Sequence, residues 1–148
     1  LSVAGTSAGT AIQGAKVFTG DEDLTVIAPE KLALKEGLAL LPEAIVDQHF
    51  VRRQRHNRML SAIQAFPYLV GIAVDEDTAL VLRSTGSSSI APPTRAGQVE
   101  GRGQVLIFQP ATGTTGKSVL LQIWDPGLCT AANPCRLRPP ARQRLDHI

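Results

Sequence analysis

Apolar positions along the chain fall into short runs broken by glycine, proline and acidic turns, with one stretch of helical spacing. The opening Leu1-Ser2-Val3-Ala4 reads as the end of a buried strand. Gly5 to Gly9 reads as a turn, and residues 10–16 as a helix whose small leading residues allow close packing on a sheet. Residues 19–37 are polar, acidic and rich in turn formers, a connection with a short helical turn near 29–35. Apolar runs at 38–41 and 44–46 flank Pro42 and end at Asp47-Gln48-His49-Phe50. Between Arg52 and Phe66, the residues Met59, Leu60, Ile63 and Phe66 recur at three- and four-residue spacing, which predicts an amphipathic helix. Pro67 stops it.

Residues 70–74 and 79–82 predict short strands joined by the acidic turn Asp75-Glu76-Asp77-Thr78. Residues 84–97, with their Gly, Ser and Pro-Pro, read as an exposed loop. Residues 104–108 and 119–124 predict a hairpin around the turn-rich 112–116. Past Trp124 the chain becomes Pro- and Arg-rich without a period, so residues 125–148 read as an appended tail. Apolar strands alternating with the helices after Ser7 and Arg52 predict an α/β domain in which Val3-Ala4 and the strand at 70–74 are neighbours.

Composition narrows this picture. A chain of 148 residues and 15.7 kDa holds one domain, and 43% hydrophobic against 19% charged residues allows a core and excludes outright disorder. Aromatics are only 4%, so the core is built from Ala, Val, Ile and Leu. No apolar run reaches the length of roughly 18 residues that a membrane helix needs. A net charge of +2, from 15 basic and 13 acidic residues, excludes a nucleic-acid binder driven by bulk electrostatics. The chain begins at Leu1 and its one methionine is Met59, which reads as a fragment of a longer product. Self-processing hydrolases expose Ser, Thr or Cys at the new terminus, and Leu1 cannot serve as a nucleophile.

The candidate chemistry starts at Gly5-Thr6-Ser7-Ala8-Gly9, a G-x-S-x-G pattern between a strand and a helix. A nucleophile needs a sharp turn to project its hydroxyl, and Gly5 and Gly9 remove side chains that would collide there. The helix would direct N–H groups, beginning at Ala8, towards a developing oxyanion. The bland alternative is a glycine-rich turn with a capping serine. Serine needs a base, and the chain has three histidines, His49, His56 and His147. His147 ends the tail and His56 lies in a polar helical stretch. His49 follows an apolar run at the point where a strand would leave the sheet. Acidic partners stand at Asp75, Glu76 and Asp77, again just after a strand, where open α/β sheets place their sites. Periodicity does not choose among the three acids.

Four motifs in this order, Ala4-Gly5-Thr6-Ser7-Ala8-Gly9, Asp47-Gln48-His49-Phe50, Arg53-x-Arg55-x-x-Arg58 and Gly71-Ile72-x-x-Asp75-Glu76-Asp77-Thr78-Ala79, together resemble the cyanophycinase family of peptidase E-like serine peptidases. The resemblance covers roughly residues 1–108. It implies a class I glutamine amidotransferase-like fold, with a mostly parallel sheet between helix layers and the N-terminal part missing. Residues 1–124 would be the C-terminal part of that catalytic domain, with 125–148 the Pro/Arg-rich tail. It also implies Ser7 as nucleophile, His49 as base and Glu76 as the acid that holds the imidazole.

The family cleaves cyanophycin, a poly-aspartate with arginine on each side-chain carboxyl, to β-aspartyl-arginine dipeptides. Asp47, Gln48, Arg53, Arg55 and Arg58 match positions that line its substrate pocket. Guanidinium forks hold carboxylates well, and Asp47 could receive the substrate's arginine. Two departures are Ala4, where the family has a second glycine, and Thr10, where it has alanine. The implied activity is a serine exopeptidase without cofactor or metal, with cyanophycin or a β-aspartyl peptide as partner and a homodimer left open. The alternatives are a peptidase E-like aspartyl dipeptidase and a non-catalytic truncated remnant.

Two further motifs carry less. Residues 111–118 satisfy a relaxed phosphate-loop pattern, but residues 119–124 read as strand where such a loop needs a helix. Cys129 and Cys135 lack a nearby histidine and make a poor zinc site. The family's storage-polymer role points to the cytoplasm, whereas a Cys129–Cys135 disulfide would point to secretion into an oxidising compartment.

Overall fold

The computed structural model describes residues 2–85, 94–111 and 118–140. Its strands are β1 (Gly14–Phe18), β2 (Leu34–Glu36), β3 (Leu41–Gln48), β4 (Val70–Val74), β5 (Thr78–Thr85), β6 (Thr94–Gly101), β7 (Val105–Pro110), β8 (Val119–Trp124) and β9 (Cys135–Leu137). Two helices, α1 (Ala8–Ala11) and α2 (His56–Ala65), and a 3-10 turn at Pro29–Lys31 complete the described elements. Six strands form one mixed sheet in the order β2-β1-β3-β4-β7-β8, and β5-β6-β9 form a second, antiparallel sheet. Among the described residues, parallel pairing is confined to β1 with β3 and β3 with β4. The α/β class holds.

The period of two along the central strands sorts the core into two halves. Ala44, Val46, Val70, Ile72, Val74, Val105 and Ile107 point to one face, where Val99, Trp124, Cys129 and Leu137 pack on them. Ile45, Ala73, Leu106 and Phe108 point to the other, against Met59, Ala62 and Ile63 of α2. The layers are therefore α2, the six-stranded sheet and the three-stranded sheet. A β layer stands on the face where a second helix layer was expected.

Three local expectations change. Residues 10–16 do not form a helix, because α1 ends at Ala11 and Gly14 begins β1. Pairing with β2 and β3 outweighs the weak helical propensity of this stretch. Ser2 to Thr6 has no strand pairing and is exposed, so Val3-Ala4 is not a neighbour of β4, whose partners are β3 and β7. The two ends of the expected loop at 84–97 are paired strand, since β5 and β6 are in register from Thr78↔Gly101 to Thr85↔Thr94. Residues 86–93 between them lie outside the described residues, as do 112–117 of the phosphate-loop pattern. Immediately after that pattern the chain enters β8, a strand rather than a helix.

The expected tail also carries structure. Residues 95–97 of β6 pair with 135–137 of β9, Leu137 is fully buried, and Cys129 and Cys135 are joined by a disulfide. Arginine- and proline-rich composition hid a three-residue strand with a single buried anchor. Pro42 lies inside β3, and the β1–β3 register shifts beside it, where the missing N–H breaks the ladder.

Candidate active site

Strands β3 and β4 run parallel and in register up to Gln48↔Val74. Their carboxyl ends therefore release His49 and Asp75-Glu76 side by side. His49 has φ 51°, a left-handed conformation that a histidine adopts only where its surroundings hold it. Phe50, fully buried against His56 and Phe108, is the anchor immediately behind it. The Glu76 turn is fastened from several sides. Asp75 N–H donates to Gln104 O (3.1 Å), Thr78 Oγ1 donates to Glu76 O (2.7 Å), and Arg102 N–H donates to Asp77 O (2.9 Å).

Ser7 approaches from a different direction, on the elbow before α1, with φ 51° and ψ −122°. Gly9 N–H donates to Thr6 O (2.9 Å) and Thr10 N–H to Ser7 O (2.9 Å) across it. A Cβ at Gly5 would collide with Gly9 O and the Gln13 amide, so only glycine fits there. Ser7 Oγ lies 3.2 Å from His49 Nε2, and His49 Nδ1 lies 2.6 Å from Glu76 Oε1. With the carboxylate fixing Nδ1 as a donor, Nε2 is left to accept the Ser7 hydroxyl proton. The histidine and glutamate side chains are 29% and 39% exposed, so a substrate can reach the pair. Helix α1 has only four residues, which leaves little of the dipole that a longer helix would contribute behind Ala8.

The neighbouring acid Asp75 points elsewhere, its Oδ1 accepting Val51 N–H at 3.3 Å. This bond ties the Glu76 turn to the residues just after His49. It was not legible in the sequence, which offered Asp75 only as an alternative partner for the imidazole. His56 packs its ring edge-on against Phe50, with centroids 4.8 Å apart, as a structural residue. His147 lies outside the described residues.

Three of the five residues expected to line a substrate pocket are turned inward. Asp47 is 1% exposed. Its Oδ1 accepts from Arg55 Nη1 (3.0 Å), Arg58 Nη2 (2.6 Å) and Gln48 N–H (2.8 Å), and its Oδ2 accepts from Arg58 Nε (2.8 Å). Arg58 also donates to Glu22 Oε2 (3.2 Å) and stacks on Phe18, 4.5 Å from its centroid. A charge under the sheet edge persists only when its partners are complete, and here they come from within the chain. Burial holds the Arg55 pKa below its ordinary value, partly offset by the Asp47 charge.

Both Asp47 oxygens are thus engaged within the chain and buried, and Arg55 and Arg58 clamp the carboxylate beneath the sheet edge. The sequence signal was present, since residues 55 and 58 fall on one helical side and Asp47 shares the parity of Ile45. Gln48 and Arg53 keep open roles. Gln48 Oε1 is buried without a hydrogen-bond partner among the described residues. Arg53 is exposed beside a hollow of about 480 Å³ lined also by Leu24, Thr25, Gln54, His56 and Asn57. Asp23 in the adjoining loop accepts the N–H and hydroxyl of Thr25, which lowers its pKa below the ordinary carboxylate value. No group of three or more His, Cys, Asp and Glu side chains among the described residues is arranged to hold a metal ion. No described helix is long and apolar enough to cross a membrane.

Comparison with known proteins places these residues in context. The family model described as Peptidase family S51 matches residues 1–90. A cyanophycinase of Trichormus variabilis is 39% identical over 110 residues, covering 74% of this chain and 34% of that protein. One of Synechococcus elongatus is 36% identical over 106 residues, covering 72% and 30%. One of Geminocystis herdmanii is 39% identical over 83 residues, covering 56% and 30%. The chain thus spans about a third of the length of the curated relatives it matches.

Proposed function

The chain belongs to peptidase family S51, and from that premise we propose that its protein is a serine peptidase that hydrolyses cyanophycin to β-aspartyl-arginine dipeptides. The observation that carries the reading is the chain of contacts Ser7 Oγ–His49 Nε2–His49 Nδ1–Glu76 Oε1. Ser7 Oγ attacks the scissile carbonyl carbon while His49 Nε2 takes its proton. The tetrahedral oxyanion then collapses, the C–N bond breaks, and the imidazolium gives its proton to the leaving amine. Water, deprotonated by the same imidazole, attacks the ester carbon and frees Ser7. Glu76 stays ionised throughout and stabilises the imidazolium. The N–H of Ala8, directly after the nucleophile, is the donor best placed by sequence for the oxyanion.

Substrate recognition falls to the groups left open by the buried network. The exposed Arg53 guanidinium, outside that network, takes a carboxylate of the substrate. The Cys129–Cys135 disulfide favours an oxidising compartment over the cytoplasm, since such bonds are rare where thiols are kept reduced.

The test uses the intact protein with cyanophycin and with aspartyl dipeptides. Release of β-aspartyl-arginine from the polymer supports the reading. Release from the dipeptides alone makes the protein an aspartyl dipeptidase, and release from neither makes it non-catalytic. Ser7→Ala and His49→Ala should each lower kcat by roughly ten-thousandfold or more, because triad members act as a unit. Glu76→Gln should be severe but less complete, since Glu76 orients the base without taking its proton.

A further inference from the structure

We infer that Thr10 is a positioning residue for the proposed nucleophile: its hydroxyl ties the two limbs of the Ser7 elbow and aims Ser7 Oγ at His49. The inference rests on the reading of Ser7 as nucleophile. Thr10 Oγ1 donates to Gly5 O at 2.7 Å, closing a loop with Ser7 at its crown. The outgoing limb is already fixed by backbone bonds, Gly9 N–H to Thr6 O, Thr10 N–H to Ser7 O and Ala11 N–H to Ser7 O. Gln13 Nε2 adds a bond to Gly9 O at 3.2 Å on the same side.

On the incoming limb, Thr6 O is held by Gly9 N–H and Gly5 O by the Thr10 hydroxyl. A helix of four residues is too short to hold its own shape, still less to orient what precedes it. Ser7 meanwhile has φ 51° and ψ −122°, a conformation a serine leaves unless its neighbours prevent it. The hydroxyl-to-carbonyl bond from Thr10 back to Gly5 spans this strained residue and adds a side-chain tie between the limbs to the backbone bond from Gly9 N–H to Thr6 O. At 3.2 Å the Ser7–His49 contact is at the long end of hydrogen bonding, so a small rotation of the elbow breaks it. Alanine at this position would leave the two limbs without this bond.

The experiment compares Thr10→Val, which replaces the hydroxyl with a methyl of the same shape, Thr10→Ser, which restores it, and Thr10→Ala as a smaller control. Each is made in the intact protein and read by kcat, KM and the rate of covalent labelling with a fluorophosphonate. Thr10→Val and Thr10→Ala should lower kcat and labelling rate together by about fivefold to tenfold, the weight of one hydrogen bond, with KM unchanged. Thr10→Ser should recover most of both. Unchanged labelling and kcat in Thr10→Val and Thr10→Ala overturn the inference. So does a Thr10→Ser variant as slow as Thr10→Val, or a rise in KM alone, which would place Thr10 against the substrate. Ser7→Ala runs in parallel. If it still labels and turns over, the nucleophile assignment falls and this inference with it. If it is dead while the Thr10 variants are normal, only the inference falls.

Discussion

Replacing Asp47 by asparagine separates a structural clamp from a substrate ligand. The carboxylate is 1% exposed and accepts three bonds from two guanidinium groups and one from Gln48 N–H. Asparagine keeps one oxygen but puts an amide donor where Asp47 Oδ2 faces Arg58 Nε at 2.8 Å, so donor meets donor. It also leaves Arg55 and Arg58, 9% and 6% exposed, without their shared counter-charge. Removing one partner of a buried, hydrogen-bonded ion pair costs about 3–5 kcal/mol. Domains are stable by only about 5–15 kcal/mol, so the loss is a large share of the total.

Urea unfolding of the intact protein, followed by circular dichroism, should therefore show a much lower midpoint for Asp47→Asn. Arg58→Met should be similarly damaging, since it leaves Asp47 with Arg55 as its one cation and removes the ion pair to Glu22. The double variant should lose less than the sum, because the two residues share one network. Where Asp47→Asn remains folded, its KM should stay near that of the unaltered protein. Unchanged stability together with a raised KM would refute the reasoning and return Asp47 to the substrate pocket.

Reducing the Cys129–Cys135 disulfide, or changing both cysteines to serine, should destabilise the protein by about 2 kcal/mol in denaturant unfolding, the loop-closure value for a ring of this small size. Asp75→Asn keeps an acceptor for Val51 N–H and should retain most of kcat, whereas Asp75→Ala should lower kcat several-fold, about the weight of one hydrogen bond; a dead Asp75→Asn would instead make Asp75 the partner of His49. Gly101→Ala should reduce both stability and kcat, because Gly101 has φ 107° and a Cβ would strike Asp77 O in the turn that bears Glu76; normal activity there would show that this turn can move without loss.

Legibility in the sequence depends on the range over which each signal acts. Met59, Ala62 and Ile63 place α2 on the sheet, and the continuous run 70–74 is β4, because both patterns are local. Of the second sheet, β5 is legible in the apolar run 79–82, whereas β6 and β9 were hidden because they are made by pairing rather than by pattern. In β6 only Gly97 and Val99 are buried, and β9 has one buried side chain, Leu137. Polar composition there reads as loop, and only long-range register reveals the strand. The site divides the same way. Ser7 and His49 stand out as a motif and as a histidine at a strand end. Glu76 could not be separated from Asp75 and Asp77 by periodicity, since alternation stops where β4 ends at Val74. The resemblance alone singled out Glu76, the acid whose Oε1 lies 2.6 Å from His49 Nδ1.

Backbone strain marks the same places. Among the non-glycine residues with positive φ are Ser7, His49 and Asp77, at 51°, 51° and 49°. Two bear groups of the proposed triad and the third adjoins Glu76. A left-handed non-glycine residue costs about 1–3 kcal/mol and persists only where its surroundings outweigh it. For His49 and Asp77 the surroundings are the core itself: Phe50 buried behind one, and the β6–β7 connection bonded to the other. For Ser7 they are a few hydrogen bonds within its own elbow. The base and its acid thus share the stability of the sheet, while the bonds that the described residues place around the Ser7 backbone lie within its own elbow. Changes that loosen the elbow should therefore act on turnover before they act on the fold, whereas changes to Asp47 or Phe50 should act on both.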